Sequence, residues 1–252
     1  MSIIKFTETA LTGKKKNGIL TPDENGYYTM IIGGLNTYNS AGEYYVAKDV
    51  LKLFESSSSL MRRIKNGALY AELGHPKKAP GMSMEDFYGR ILTIDETNTC
   101  AHISEIWLDF NYGKEHPEHG NLDMIAIIAK IKPAGAKLHA LESTITDPKQ
   151  NVAFSVRGIT ENKYINGRVE RSLTQIITFD NVVEPGINIA NKWNSPVLES
   201  INEHTVNKDL LMKVANSQIT NRFATESNKS VCKEVIENFS VDRSVESKLF
   251  KW

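Results

Sequence analysis

Cysteine is nearly absent from the chain: Cys100 and Cys232 are the only two in 252 residues. They stand far apart in no zinc or redox spacing, which excludes a disulfide framework and points to a reducing compartment. Net charge is missing as well, because 30 basic and 30 acidic side chains cancel. A neutral chain has no global field to draw it onto nucleic acid or an anionic membrane, so neither is expected as a partner. No stretch holds the ~18 apolar residues that a membrane span requires. The N-terminal "MSIIKFTETALTGKKKNG" lacks the charged start and long apolar block of an export signal. A soluble, unexported protein is expected.

No period repeats, and the one low-complexity run is Ser56 to Ser59. The glycines of "IIGG" and "PAGAK" are followed by neither Gly-Lys-Ser/Thr nor the spaced dinucleotide pattern, which leaves nucleotide chemistry unsupported. His116 and His119 in "HPEHG" flank Pro117, which opposes the helix that would align them on a metal. No metal or organic cofactor is implied.

What is present is a patterned chain long enough to bury a sizeable core. "YTMIIGG" predicts a strand, and "EYYVAKDVLKLFE" predicts a helix with Val46, Val50, Leu53 and Phe54 on one face. "SLMRRIKNG" predicts a further helical piece closed by Gly67, and "ALYAELGHP" an apolar strand stopped by Pro76. "GRILTID", "CAHISEIWLDF", "LDMIAIIAKI", "KLHALEST", "NVAFSVRGI" and "SLTQIITFDNVV" then suggest an all-β middle. From about Lys208 the spacing turns helical, with Leu211, Val214, Ala215, Ile219 and Phe223 after Asn207, and Val231, Val235 and Phe239 after Ser230. The expected organisation is a β-rich body over residues 1–200 and a helical extension over 201–252.

Three side chains carry candidate chemistry. Ser155, in "VAFSVRG", is followed at two and three residues by Arg157 and Gly158. That places a hydroxyl, a cation and bare backbone at one strand end, the parts of an acyl-transfer site. A serine needs a base, and His75, where a strand meets a loop in "ELGHP", is a candidate. A carboxylate that orients the imidazole completes such a set; Asp180 in "ITFDNVVEP" can supply it, although a turn or capping role suits the same spacing. His102 in "CAHISEIW" fits either a core or a site. No serine lies in a Gly-x-Ser-x-Gly elbow, which argues against an α/β-hydrolase.

In order, "NSAGEYYVAKDVLKLF", "NGALYAELGHP", "AHISEIWLD", "NVAFSVRG" and "TFDNVVEPG" resemble the motifs of the prohead core proteases of tailed bacteriophages, a group similar in fold to the herpesvirus assembly proteases (assemblins). Ala71 stands before Glu72 where glycine is usual, and Ala101 where serine is common. The resemblance spans roughly residues 28–190. It implies an α+β fold with an antiparallel β-barrel core surrounded by helices, in which 1–200 is the protease domain.

The same resemblance implies Ser155 as nucleophile, His75 as base, and Arg157 with Gly158 near the oxyanion. Asp180 is the expected third member, with His102 as the alternative. The activity implied is a serine endopeptidase inside the viral prohead in the host cytoplasm, with capsid and scaffold proteins as substrates and a homodimer as a candidate state. Cleavage after glutamate is implied, and Glu226 in "ATES" and Glu246 in "SVES" are candidate self-cleavage points. A catalytically inactive scaffold or core protein of the same fold is the competing expectation.

Overall fold

The computed structural model describes residues 3–11, 20, 22–184, 186, 187, 189, 190, 203–205, 207–222 and 224–240. Its strands are β1 (Ile3–Leu11), β2 (Tyr28–Leu35), β3 (Thr37–Tyr38), β4 (Tyr44–Tyr45), β5 (Tyr70–Glu72), β6 (Thr99–Asp109), β7 (Ile125–Pro133), β8 (Ala153–Ile165), β9 (Arg168–Val182) and β10 (Glu203–Thr205). Its helices are α1 (Ser59–Lys65), α2 (Met84–Leu92), α3 (Tyr112–Glu115), α4 (Leu138–Thr146), α5 (Lys208–Thr220) and α6 (Glu226–Ser240).

The strands form two sheets, ordered β10-β1-β8-β9-β4-β3 and β2-β7-β6-β5. The class is α+β, but among the described residues there is no closed barrel. The expected closure fails because β5 is three residues long and forms no backbone ladder with β9; just past β5 a single parallel bridge joins Leu73 and Asn181. That bridge is where the loop carrying His75 touches the end of β9.

The longest hairpin, β8–β9, turns through Asn166 and Gly167, both at positive φ (50° and 79°), as a two-residue hairpin turn demands. Pairing starts at Ile165 with Arg168 and reaches Ser155 with Asp180 only after two register shifts. Ile177 and Thr174 are the extra residues on β9, and a bulge leaves such a residue outside the ladder. Side chains from flanking helices take up their carbonyls. Arg63 of α1 donates to Ile177 O at 2.5 Å and Ile176 O at 3.1 Å, and Asn238 of α6 donates to Thr174 O at 3.1 Å. Gly158 lies at the Ile177 bulge, where an added Cβ would stand 2.5 Å from Gln175 O, so only glycine permits this close approach.

Several local expectations are corrected. "EYYVAKDVLKLFE" is not a helix: Tyr44–Tyr45 pairs in parallel with Glu170 and Arg171 of β9, and only Leu51–Phe54 coils, as a 3-10 turn. Pairing outweighs a helical spacing of apolar residues when an open strand edge lies alongside. "GRIL" ends α2, whose start is capped by Ser83 accepting from Asp86 N at 3.0 Å, and "LHALEST" lies in α4. The middle is therefore not all β. In the C-terminal part, Asn207 caps α5 by accepting from Leu210 N at 3.0 Å. α6 begins four residues before Ser230, with Thr225 Oγ1 accepting from Asn228 N at 3.2 Å.

The helices at 208–240 do not stand apart from the body. Leu211, Val214, Val231 and Val235 are buried with Phe87, Ile91, Ile159 and Ile177 in one apolar cluster. Each such side chain contributes about 1.5–3 kcal/mol by burial, so α5 and α6 share a core with α2 and the β8–β9 hairpin. No described helix is long and apolar enough to cross a membrane.

Candidate active site

Strand alternation places Ser155 and Arg157 on one face of β8, and the register sets Asp180 opposite Ser155 and Thr178 opposite Arg157. His75 arrives from the other sheet. After β5 the chain is fixed by Leu73 N–H donating to Asn98 O at 3.0 Å and Gly74 N–H donating to Asn181 O at 2.6 Å. Gly74 has φ of +76°, which turns the chain and directs the next residue toward the hairpin.

The structure thus brings Ser155, His75 and Asp180 together. His75 Nε2 lies 2.5 Å from Ser155 Oγ, and Nδ1 lies 2.9 Å from Asp180 Oδ2. With Asp180 ionised, Nδ1 carries the proton and donates it to the carboxylate, which leaves Nε2 free to accept from the serine hydroxyl. Ser155 and Asp180 are fully buried, and the His75 side chain is 10% exposed.

Asp180 is held by more than the imidazole. Arg157 donates through Nε to Oδ2 at 2.8 Å and through Nη2 to Oδ1 at 2.6 Å, and Glu72 N–H adds a bond to Oδ1 at 3.2 Å. Burial alone pushes the Asp180 carboxyl up, but the Arg157 charge and the bonds from His75 and Arg157 outweigh it and bring it down to about 2. Burial likewise opposes the Arg157 cation, and the Asp180 and Glu72 charges overcome it, so its pKa is raised.

Arg157, expected near the oxyanion, is turned toward Asp180 in this geometry. Its guanidinium is fully buried and directed at Asp180, Glu72 and the Thr93 carbonyl (Nη1 to O, 2.8 Å), behind Asp180 in hydrogen-bond order from the serine. Those bonds commit it to the carboxylates. Gly158 serves the bulge packing. His102 is not brought into this set: its Nδ1 lies 2.9 Å from Tyr27 Oη and its Nε2 3.1 Å from Gly67 O, which occupies both ring nitrogens. Glu226 begins α6 and pairs with Lys229 at 3.0 Å, while Glu246 lies outside the described residues.

Glu72 is the participant whose role the residue pattern alone did not expose. A glutamate in a short apolar strand carries no mark of burial beside two arginines from distant segments. Its place three residues before His75, inside the "ELGHP" motif, is the signal that was available.

A serine hydroxyl bonded to an imidazole, itself bonded to a buried carboxylate, is the arrangement by which serine hydrolases generate a nucleophile near neutral pH. The particular family follows from comparison. The profile of the Peptidase S80 family matches residues 6–243, and the chain belongs to that family and is a peptidase. It is similar to the "Capsid maturation protease" of Pseudomonas phage phiKZ, with 37% identity over 210 residues, covering 81% of this chain and 75% of that protein. A structural comparison finds the bacteriophage T4 capsid assembly protease, gp21, at a TM-score of 0.47 and 14% identity, covering 72% of this chain and 99% of that one.

Proposed function

We propose that the chain is a serine endopeptidase that matures a phage capsid from inside the prohead, with Ser155 as nucleophile, His75 as general base and Asp180 as the carboxylate that orients the base. The continuous path Ser155 Oγ, His75 Nε2, His75 Nδ1, Asp180 Oδ2, with spacings of 2.5 and 2.9 Å, carries this reading. Membership of the Peptidase S80 family and similarity to the phiKZ capsid maturation protease support it. An assemblin-like fold is the finer structural reading, in which the two sheets meeting at Leu73 and Asn181 stand in place of a closed barrel.

In the reaction Ser155 Oγ attacks the scissile carbonyl while His75 Nε2 takes its proton. The imidazolium so formed is stabilised by Asp180, then passes the proton to the departing amine. Water, deprotonated by His75, releases the acyl group and restores the serine.

Capsid and scaffold proteins are the proposed substrates, cut after glutamate, with a homodimer as the proposed state. Self-cleavage after Glu226 would sever α6, and it first requires the opening turn of that helix to unwind. Glu246 is the second proposed point. The test is intact mass against time for the wild type and Ser155→Ala incubated with prohead scaffold protein. Cleavage by the wild type alone supports the reading, and equal cleavage by both overturns it.

A further inference from the structure

We propose that Glu72 is a positioning residue that keeps the His75–Asp180 pair in working geometry by dividing the charge of Arg157. The inference rests on the reading of Ser155, His75 and Asp180 as the reacting set.

Glu72 is fully buried, yet its carboxylate is surrounded by donors from three segments. Arg157 Nη2 lies 2.8 Å from Oε1, Arg90 Nη1 of α2 donates to Oε1 at 2.9 Å and its Nη2 to Oε2. Asp95 N–H donates to Oε1 at 2.8 Å and Asn98 Nδ2 to Oε2 at 3.2 Å. Two carboxylates and two guanidinium groups therefore alternate from the interior outward: Asp180, Arg157, Glu72, Arg90. Only Arg90 has appreciable exposure, 24% of its side chain. Buried charges of this kind persist only when each is paired and bonded, and none of the four has solvent to fall back on except at the Arg90 end.

The arrangement bears on catalysis because Arg157 and His75 share one oxygen. Arg157 Nε is 2.8 Å from Asp180 Oδ2, and His75 Nδ1 is 2.9 Å from the same atom. A guanidinium answering to Asp180 alone would draw the carboxylate's charge toward itself and weaken its hold on the imidazole. Glu72 takes a share of that cation through Nη2 and fixes the plane of the fork, since Nη2 bonds both Asp180 Oδ1 and Glu72 Oε1. Glu72 also touches Asp180 directly through its own N–H, and it precedes His75 by three residues on the same segment. One residue thereby links the carboxylate, its counter-cation and the strand that delivers the base.

The experiment uses the full chain as wild type, Glu72→Gln, Arg90→Gln, His75→Gln and Ser155→Ala. Two quantities are read: the downfield proton resonance of the hydrogen bond between His75 and Asp180, and the rate of labelling by a fluorophosphonate, separated into its maximal rate and half-saturating concentration. Glu72→Gln is expected to move the resonance upfield and to lower the maximal labelling rate about 10- to 100-fold, the scale of a misoriented catalytic group, with half-saturation little changed. Arg90→Gln leaves Glu72 more fully on Arg157 and is expected to move the resonance the opposite way. That second variant decides the matter if Glu72→Gln does not fold.

A folded Glu72→Gln or Arg90→Gln with an unmoved resonance and an unaltered maximal rate overturns the positioning role, even while Ser155→Ala abolishes labelling. Labelling that persists in Ser155→Ala, or a wild-type spectrum with no downfield resonance that His75→Gln removes, overturns the catalytic reading itself.

Discussion

The two halves of the candidate site are held by different means. Ser155 and Asp180 belong to one hairpin, where a ladder from Ile165 with Arg168 to Ala153 with Val182 fixes their separation cooperatively. His75 belongs to a loop hung from a three-residue strand and is fixed by a few bonds around Leu73 and Gly74. The hairpin half cannot shift without breaking many bonds together, whereas the loop half can be displaced by losing one or two. Misplacement of the base is therefore the cheaper failure, and the buried network at Glu72 stands on that side of the site.

The largest effect comes from removing either partner of the bond that joins the halves. Ser155→Ala and His75→Ala each should lower turnover by roughly 10⁴- to 10⁶-fold, and the double variant should be no worse than either, because such groups act as a unit. Stopped assays with intact-mass detection check this; additive losses would mean that the two groups do not act on one step.

Next is Asp180→Asn, which keeps the shape of the hairpin half but removes the charge. A fall of about 10⁴ in turnover is expected from the wrong tautomer of His75. The same variant reports on pH. The Asp180 pKa lies at about 2 in the folded protein against 3.8 for an ordinary aspartate, so the carboxylate's contribution is complete above about pH 4 and is lost as pH falls through about 2. Its size is roughly 2 kcal/mol. Acid unfolding followed by circular dichroism should show wild-type stability falling across that window and Asp180→Asn lacking this component.

Smaller effects should separate the two halves. Gly158→Ala places a Cβ 2.5 Å from Gln175 O and 2.8 Å from Leu173 Cδ2, so the hairpin half should lose about 1–3 kcal/mol in denaturant unfolding. Gly74→Ala meets nothing within 4 Å but forces a side chain onto a φ of +76°. Roughly 1–2 kcal/mol of local strain is expected, with turnover reduced about 10- to 100-fold and global unfolding changed less than by Gly158→Ala. Equal losses of stability in the two variants would erase the distinction between ladder and loop.

How far the site was legible in the sequence differs along the same line. The strands "NVAFSVRGI" and "SLTQIITFDNVV" are local signals, whereas their pairing as one hairpin through Asn166 and Gly167 is seen in the fold. Counting back from that turn without interruption would set Ser155 opposite Thr178; Asp180 comes opposite only because Ile177 and Thr174 bulge out of β9. Nothing near those residues announces the bulges. They depend on Arg63 from α1 and Asn238 from α6, distant side chains that supply donors to carbonyls the ladder leaves out. The segments "EYYVAKDVLKLFE", "GRILTID" and "KLHALEST" fold differently from their local pattern for a related reason. Short apolar runs fit both periods, and the neighbouring sheet or helix chooses between them.

The sequence by itself determined a neutral, cysteine-poor chain with a strand-rich middle, a helical C-terminal region and a set of chemically apt residues at Ser155, His75 and Asp180. These follow from composition, from the two periodicities and from residue chemistry, all of which act over a few positions. Tertiary structure alone decided that the described strands form two sheets, that Arg157 faces Asp180 and Glu72, and that His75 reaches Ser155 at 2.5 Å. Those outcomes required residues far apart in the chain to satisfy one another's buried charges and unpaired carbonyls, a condition that arises only once the segments have been brought together and water excluded.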